Sequence, residues 1–195
     1  AVTVPGAVDG WAKMHERFGK LAWNQLFGAA IAYADRGFPV TEAIEETWSA
    51  PIAVERLMTH AESVRVFLLN DAPPQVGQLF RNPDIAGCLR MLSEQGPRAY
   101  YEGAISAAIL RTLQGLGSTM TATDLASYSC EWVEPISIDY RGWRVFELPP
   151  NGQGMAALEM LNIMEAAAPD PGGPSTSGEL HKRIEAMKLA YSDVY

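Results

Sequence analysis

Apolar residues recur along much of this chain at the three-to-four-residue spacing of helices that bury one face. Val8, Trp11, Met14 and Phe18 predict a helix over Ala7 to Phe18, entered from a turn at Pro5-Gly6. A second helix is expected from Trp23 to Ala34, carrying Leu26, Phe27, Ala30 and Ile31. Asp35-Arg36 ends it, with Gly37 as the cap. Thr41 is placed as the N-cap of a third helix, with Glu42 in its first turn and Phe38 just outside; Pro51 interrupts or restarts the pattern. Val64 to Leu69 is short and β-rich, and reads equally as a strand or as the end of a helix. After a loop over Asp71 to Gly77, Asn82-Pro83-Asp84 opens a helix with Ile85, Leu89 and Leu92 inward, broken at Gly96-Pro97. A long amphipathic helix from Ala99 to Leu113 then places Ile105, Ile109 and Leu113 on one face and ends over Gly115 to Ser118. Thr121 and Asp124 have capping-box spacing and open a short helix to Tyr128.

The pattern changes at Pro135. Ile136 and Ile138 alternate with polar residues, Arg141-Gly142 sits where a hairpin turn belongs, and Trp143 to Leu148 supplies a second β-type run. Asn151-Gly152-Gln153-Gly154 leads into an apolar helix from Met155 to Ala168, with Ala157, Leu158, Leu161, Ile163 and Met164. A Pro/Gly/Ser-rich loop covers 169–178. Ser177 is then expected to cap a last helix whose apolar face is Leu180, Ile184, Met187 and Tyr191, running almost to Tyr195. The fold class expected is α+β: a mostly helical fragment with one β hairpin. It comprises a helical region over 1–130 and a hairpin–loop–helix region over 131–195 within one domain. Because no polar tail follows the last helix, the chain is expected to be part of a larger one.

Composition narrows the function classes. With 48% hydrophobic and 19% charged residues, the chain has the make-up of a globular rather than a disordered protein. Its net charge is −8, and no basic stripe is present, which argues against nucleic acid and against an anionic membrane surface as partners. No apolar run reaches the roughly 20 residues of a membrane helix. The opening AVTVPGAVDGW does not resemble a signal peptide, which leans toward a cytoplasmic rather than a periplasmic or secreted location. Cys88 and Cys130 lie far apart and read as small buried hydrophobes.

Candidate chemistry is sparse. His15, His60 and His181 fall on expected helices without metal-ligand spacing, so no metal and no cofactor is implied. The strand-to-helix loop Leu148 to Gly154 has the shape of a nucleophile elbow but carries no Ser, Cys or Thr. It also lacks the lysine of a phosphate loop, and Gly152-x-Gly154 is only part of a dinucleotide fingerprint. Two readings of this loop remain: a tightly packed turn, or the border of a small-molecule site. Glu42, Glu45 and Glu46 read as a solvated helix face, and Arg141 and Arg144 as exposed strand-edge residues.

A set of motifs in order gives a more specific reading. Thr3-Val4-Pro5-Gly6 with Gly10, Ala34 to Val40 (ADRGFPV), Gly96 to Gly103 (GPRAYYEG) and Asp124-Leu125-Ala126 with Tyr128 all resemble segments of the gamma-glutamyltransferase (gamma-glutamyltranspeptidase) family. So do Tyr140 to Trp143, Leu148 to Gly154, and Leu189 to Asp193. The resemblance covers essentially the whole chain and is to the large-subunit region. It implies an N-terminal-nucleophile hydrolase with a four-layer αββα sandwich, whose precursor cuts itself before a threonine. That threonine then attacks a γ-glutamyl amide such as glutathione, with its own α-amine as base, and water or an amino acid takes the acyl group. The family's threonine, its carboxylate-binding arginine and its oxyanion-hole glycines all fall outside residues 1–195, so no catalytic residue is carried over. The partners implied are the remaining large-subunit and small-subunit parts of the same precursor. Asn151-Gly152-Gln153-Gly154 departs from the P-S-S-G-G loop of typical transpeptidases and is closer to the amidohydrolase branch. Asn151 and Gln153 are the candidate substrate-binding residues. The alternatives are an amidohydrolase or acylase of the same family, and a non-catalytic helical interaction module.

Overall fold

The computed structural model describes residues 2–194, and the chain divides between Cys130 and Glu131 into two units. The first unit contains α1 (Ala7–Phe18), a 3-10 turn (Trp23–Phe27), α2 (Gly28–Arg36), β1 (Phe38–Pro39), α3 (Glu42–Trp48), α4 (Pro51–Met58) and α5 (Ala61–Phe67). It continues with β2 (Leu79–Phe80), α6 (Pro83–Gln95), α7 (Arg98–Tyr101), α8 (Ala104–Gly115) and α9 (Ala122–Ala126). Its core is Val8, Phe27, Leu92, Tyr101 and Ile105.

Several elements follow the sequence pattern closely. Asn82 caps α6 by accepting from the Ile85 N–H at 3.0 Å. Thr121 and Asp124 form the expected reciprocal box at 2.8 and 3.2 Å, and the Thr121 N–H and hydroxyl, both donating to the Asp124 carboxylate, hold it below the usual carboxylate range. Pro51 restarts the helix as the first residue of α4.

Other elements differ, each for a local reason. The stretch from Trp23 to Phe27 is a 3-10 turn, with the Trp23 indole N–H donating to the Leu92 carbonyl at 2.7 Å; the α-helix starts at Gly28 and continues to Arg36. Thr41 stands at the N-cap position of α3 but its hydroxyl makes no capping bond. Val64 to Phe67 is the end of α5, not a strand. The long helix expected from Ala99 is two helices. Gly103 is extended between them, and its N–H turns to the Ser106 hydroxyl at 2.9 Å instead of continuing the ladder. Of the α1 row only Val8 is buried; Trp11, Met14 and Phe18 are exposed, as is Ile85 on α6. Besides the expected hairpin there is a small separate sheet in this unit, β1 against β2, with Phe38 opposite Phe80. Gly37 enters it at φ +91, where an added Cβ would lie 3.0 Å from the Phe80 carbonyl.

A polar knot holds the ends of this unit. Tyr101, only 1% exposed, donates its hydroxyl to the Pro5 carbonyl at 2.8 Å and accepts from the Asp9 N–H at 3.1 Å. The Asp9 carboxylate in turn accepts from the Cys130 N–H at 2.6 Å. Tyr128 stacks on Tyr101, and its hydrogen bond with the Cys130 sulfur pushes the phenol pKa up to about 12. Arg98 reaches the carbonyls of Ala126 and Tyr128 and pairs with Glu102.

The second unit contains β3 (Ile136–Tyr140), β4 (Trp143–Glu147), α10 (Gly154–Ala166) and α11 (Ser177–Val194). The hairpin runs in register from Ile136 opposite Glu147 to Tyr140 opposite Trp143. Arg141 at φ 48 and Gly142 at φ 84 give the two positive dihedrals of a type I′ turn. One hairpin face (Ile136, Ile138, Tyr140, Val145) packs toward α10, while Phe146 and Leu148 stay exposed and Trp143 at the tip is 77% exposed.

The last helix reverses two expectations. Thr176, not Ser177, supplies the cap, accepting from the Glu179 N–H at 3.2 Å. The buried face is Glu179, Ala186 and Ala190, whereas Leu180, Ile184 and Met187 are exposed. The alanines let α11 lie close against α10, and the larger apolar residues are left outside. The end predicted near Tyr195 lies outside the described residues.

Glu179, 2% exposed, is held by Lys182 at 3.1 Å, by the Asp170 N–H at 3.2 Å and by Arg183 at 3.7 Å. The Lys182 hydrogen bond, then that of Asp170, pulls its pKa below the ordinary carboxylate value. A depressed folded-state pKa means a stabilisation present above the unfolded-state pKa and lost as pH falls through the folded one. Acid titration followed by circular dichroism should therefore show the second unit weakening below the ordinary glutamate range, near pH 4. In Glu179→Gln that acid limb should be flattened; an unchanged limb would remove Glu179 as its source.

Candidate functional site

Leu148 to Gly154 connects β4 to α10. Pro149 and Pro150 bring no N–H donors, so the chain leaves the hairpin without further ladder bonds. Gly154 is where helix and strand meet. A Cβ there would lie 2.7 Å from the Glu147 Cβ and 3.1 Å from the Leu148 carbonyl, so no side chain fits. Gly152 differs: nothing lies within 4 Å of an added Cβ, and its φ is outside the left-handed region. Close approach therefore belongs to Gly154 alone.

Gln153 occupies the N-cap position of α10, and its side chain makes no capping bond there. Its Oε1 instead accepts from the Tyr191 hydroxyl at 2.8 Å, tying the loop to α11. Asn151 is exposed at the loop's outer edge. The structure thus separates the roles of the two candidates, with Gln153 turned onto α11 and Asn151 facing outward. One turn into α10, Glu159 has a carboxylate oxygen, Oε2, that is buried with no hydrogen-bond partner. Such an atom needs a donor to satisfy it. Sequence reasoning passed over it; the signal was a lone acid within the apolar run from Met155 to Met164. The uncapped first turn of α10 can receive a polar or anionic group, but the loop holds neither a nucleophile nor a base.

The other concave regions offer less chemistry. An open groove of about 640 Å³ between α3 and α4 is lined by Ile44, Trp48, Leu57 and Arg56, and is mostly apolar. A cleft of about 250 Å³ beside Arg141, Asp170 and Arg183 includes the Glu179 ion pairs already described. Among the described residues no group of three or more His, Cys, Asp or Glu could hold a metal ion. His15 bonds the Leu21 carbonyl, and both cysteines are free thiols. Partial burial, and then the nearby Asp84 charge, raise the Cys88 thiol pKa above its ordinary value.

The chain matches the gamma-glutamyltranspeptidase family over residues 1–195 and belongs to that family. It is 33% identical to the glutathione hydrolase-like YwrD proenzyme of Bacillus subtilis, over 99% of this chain and 36% of that protein. Among solved structures it is similar to the cephalosporin acylase from Bacillus halodurans, with 40% identity and TM-score 0.88, over 99% of this chain and 36% of that one. It is equally similar in shape to Helicobacter pylori gamma-glutamyltranspeptidase, with TM-score 0.88 and 30% identity, over 97% of this chain and 54% of that one. The chain spans about a third of the length of the curated relatives it matches.

Proposed function

We propose that this chain is the large-subunit part of a self-processing enzyme that hydrolyses or transfers γ-glutamyl amides such as glutathione. The observation that carries this is family membership over the whole chain. The catalytic threonine, which would attack the amide with its own α-amine as base, lies outside residues 1–195. The role of this chain is then to build the frame and one border of the site. Asn151 and Gln153 line the substrate path, with Gln153 fixed by Tyr191.

The exposed apolar rows support this reading. Trp11 and Met14 on α1, Trp143, Phe146 and Leu148 at the hairpin, and Leu180, Ile184 and Met187 on α11 are large surfaces for water to face. They suit burial against the remaining parts of the precursor. The open edges of β3 and β4 suit a place in a larger sheet of a four-layer sandwich.

A second reading is an acylase acting on a different acyl amide. The Asn151-Gly152-Gln153-Gly154 loop and the 40% identity to a cephalosporin acylase favour it. A substrate panel decides. The full-length precursor should cleave itself and turn over γ-glutamyl-p-nitroanilide, while the 195-residue chain alone should not. Turnover of a glutaryl amide in preference to the γ-glutamyl one would select the acylase reading. Turnover by the isolated chain would overturn the proposal.

A further inference from the structure

We propose that Asn151 is a site of spontaneous chemical modification, in which the Gly152 nitrogen attacks the Asn151 side-chain amide and converts the residue to aspartate or isoaspartate. Asn151 is exposed and precedes α10, so neither it nor Gly152 is held in a helix or strand. The Gly152 N–H donates to no acceptor among the described residues. Gly152 also has open space around it, with nothing within 4 Å of an added Cβ. Packing does not require a glycine there; what glycine contributes is freedom for the peptide to swing onto the side chain.

The other asparagines lack this combination. Asn24 lies in the 3-10 turn, Asn162 lies within α10, and Asn70 precedes Asp71. Asn82 precedes Pro83, whose nitrogen carries no hydrogen. The chemically similar pair Asp9-Gly10 is locked in α1, with the Gly10 N–H on the Gly6 carbonyl at 3.0 Å and the Asp9 carboxylate on Cys130.

The steps balance without an oxidant or reductant. The Gly152 nitrogen loses its proton to base and adds to the Asn151 Cγ. A C–N bond forms, and the side-chain nitrogen leaves as ammonia after taking up a proton, closing a five-membered succinimide. Water then opens either ring carbonyl. One opening gives aspartate; the other gives isoaspartate, with the backbone routed through the former side chain. Each places a new negative charge ahead of the uncapped end of α10, where the helix dipole favours it. The effect on activity rests on the reading of this loop as a substrate border; the modification itself does not.

The test incubates the full-length protein in mildly alkaline buffer and follows tryptic peptides by mass spectrometry, with isoaspartyl methyltransferase labelling. The peptide holding Asn151 should gain acid and isoaspartate about tenfold faster than any other asparagine peptide, and Gly152→Ala should slow it about tenfold. Retention of the Asn151 amide while a free peptide of the same sequence converts would overturn the proposal, as would equal rates with and without Gly152. Turnover of the aged protein, compared with aged Gly152→Ala, reads the second question. Conversion with a fall in turnover supports both readings. Conversion with unchanged turnover keeps the modification and removes Asn151 from the substrate path.

Discussion

Tyr101→Ala should unfold the first unit. The side chain is 1% exposed and lies at the centre of the core with Val8, Leu92 and Ile105. Truncating a buried aromatic costs about 3–5 kcal/mol through lost burial and the cavity left behind. The same change orphans the Asp9 N–H and the Pro5 carbonyl, at about 1–3 kcal/mol for each buried group left unpaired. Set against the roughly 5–15 kcal/mol of an ordinary domain, the sum removes most of the folded population. Tyr101→Phe keeps the ring but leaves the same two groups unpaired, so its cost should be about 2–6 kcal/mol, without the loss of the ring. Urea titration of both variants separates the contributions. If Phe were as damaging as Ala, the polar knot rather than the ring would hold the unit.

Gly154→Ala should have the next largest effect. Its Cβ would press on the Glu147 Cβ and the Leu148 carbonyl, which belong to strand and backbone and cannot swing aside. Overpacking of this kind costs about 1–3 kcal/mol. Relief requires α10 to back away from β4, carrying Gln153 and its bond to Tyr191 with it. On the proposal that Gln153 lines the substrate path, turnover of the full-length protein should fall about tenfold to a hundredfold, since small misplacements of positioning groups are costly. Gly152→Ala is the matched control for packing and should change stability by less than about 0.5 kcal/mol. Thermal melts of the two variants check this; equal melting points would show that the loop has slack at Gly154.

Local chemistry explains which elements were legible. The hairpin, its Arg141-Gly142 turn, the Asn82 cap and the Thr121–Asp124 box depend on neighbours within a few residues, and the sequence displays them. So does α1, whose start follows from the turn at Pro5-Gly6. What periodicity could not show is which face of a helix finds a partner. On α11 the row Leu180, Ile184, Met187 is the more apolar, yet Ala186 and Ala190 are buried because only small residues admit α10. Glu179 could not be foreseen as buried, since its main-chain partner at Asp170 is set by the fold of the preceding loop. Strands of two residues, as in β1 and β2, are too short to carry an alternating pattern. At the candidate site the glycines were visible, but the difference between Gly152 and Gly154 depends on the return of β4 beside the helix start. The family motifs were legible because they are short-range wording, spread in order along the chain.

The bond between Asp9 and Cys130 joins positions 121 residues apart and brings the two ends of the first unit together. A short flexible bridge from Cys130 back to the residues before α1 would therefore span little distance. That makes the unit suited to circular permutation, with new ends opened in the exposed turn near Gly117, where φ is +80 and an added Cβ would meet nothing within 4 Å. The order in which the helices are threaded would change, while the knot around Tyr101 would stay closed.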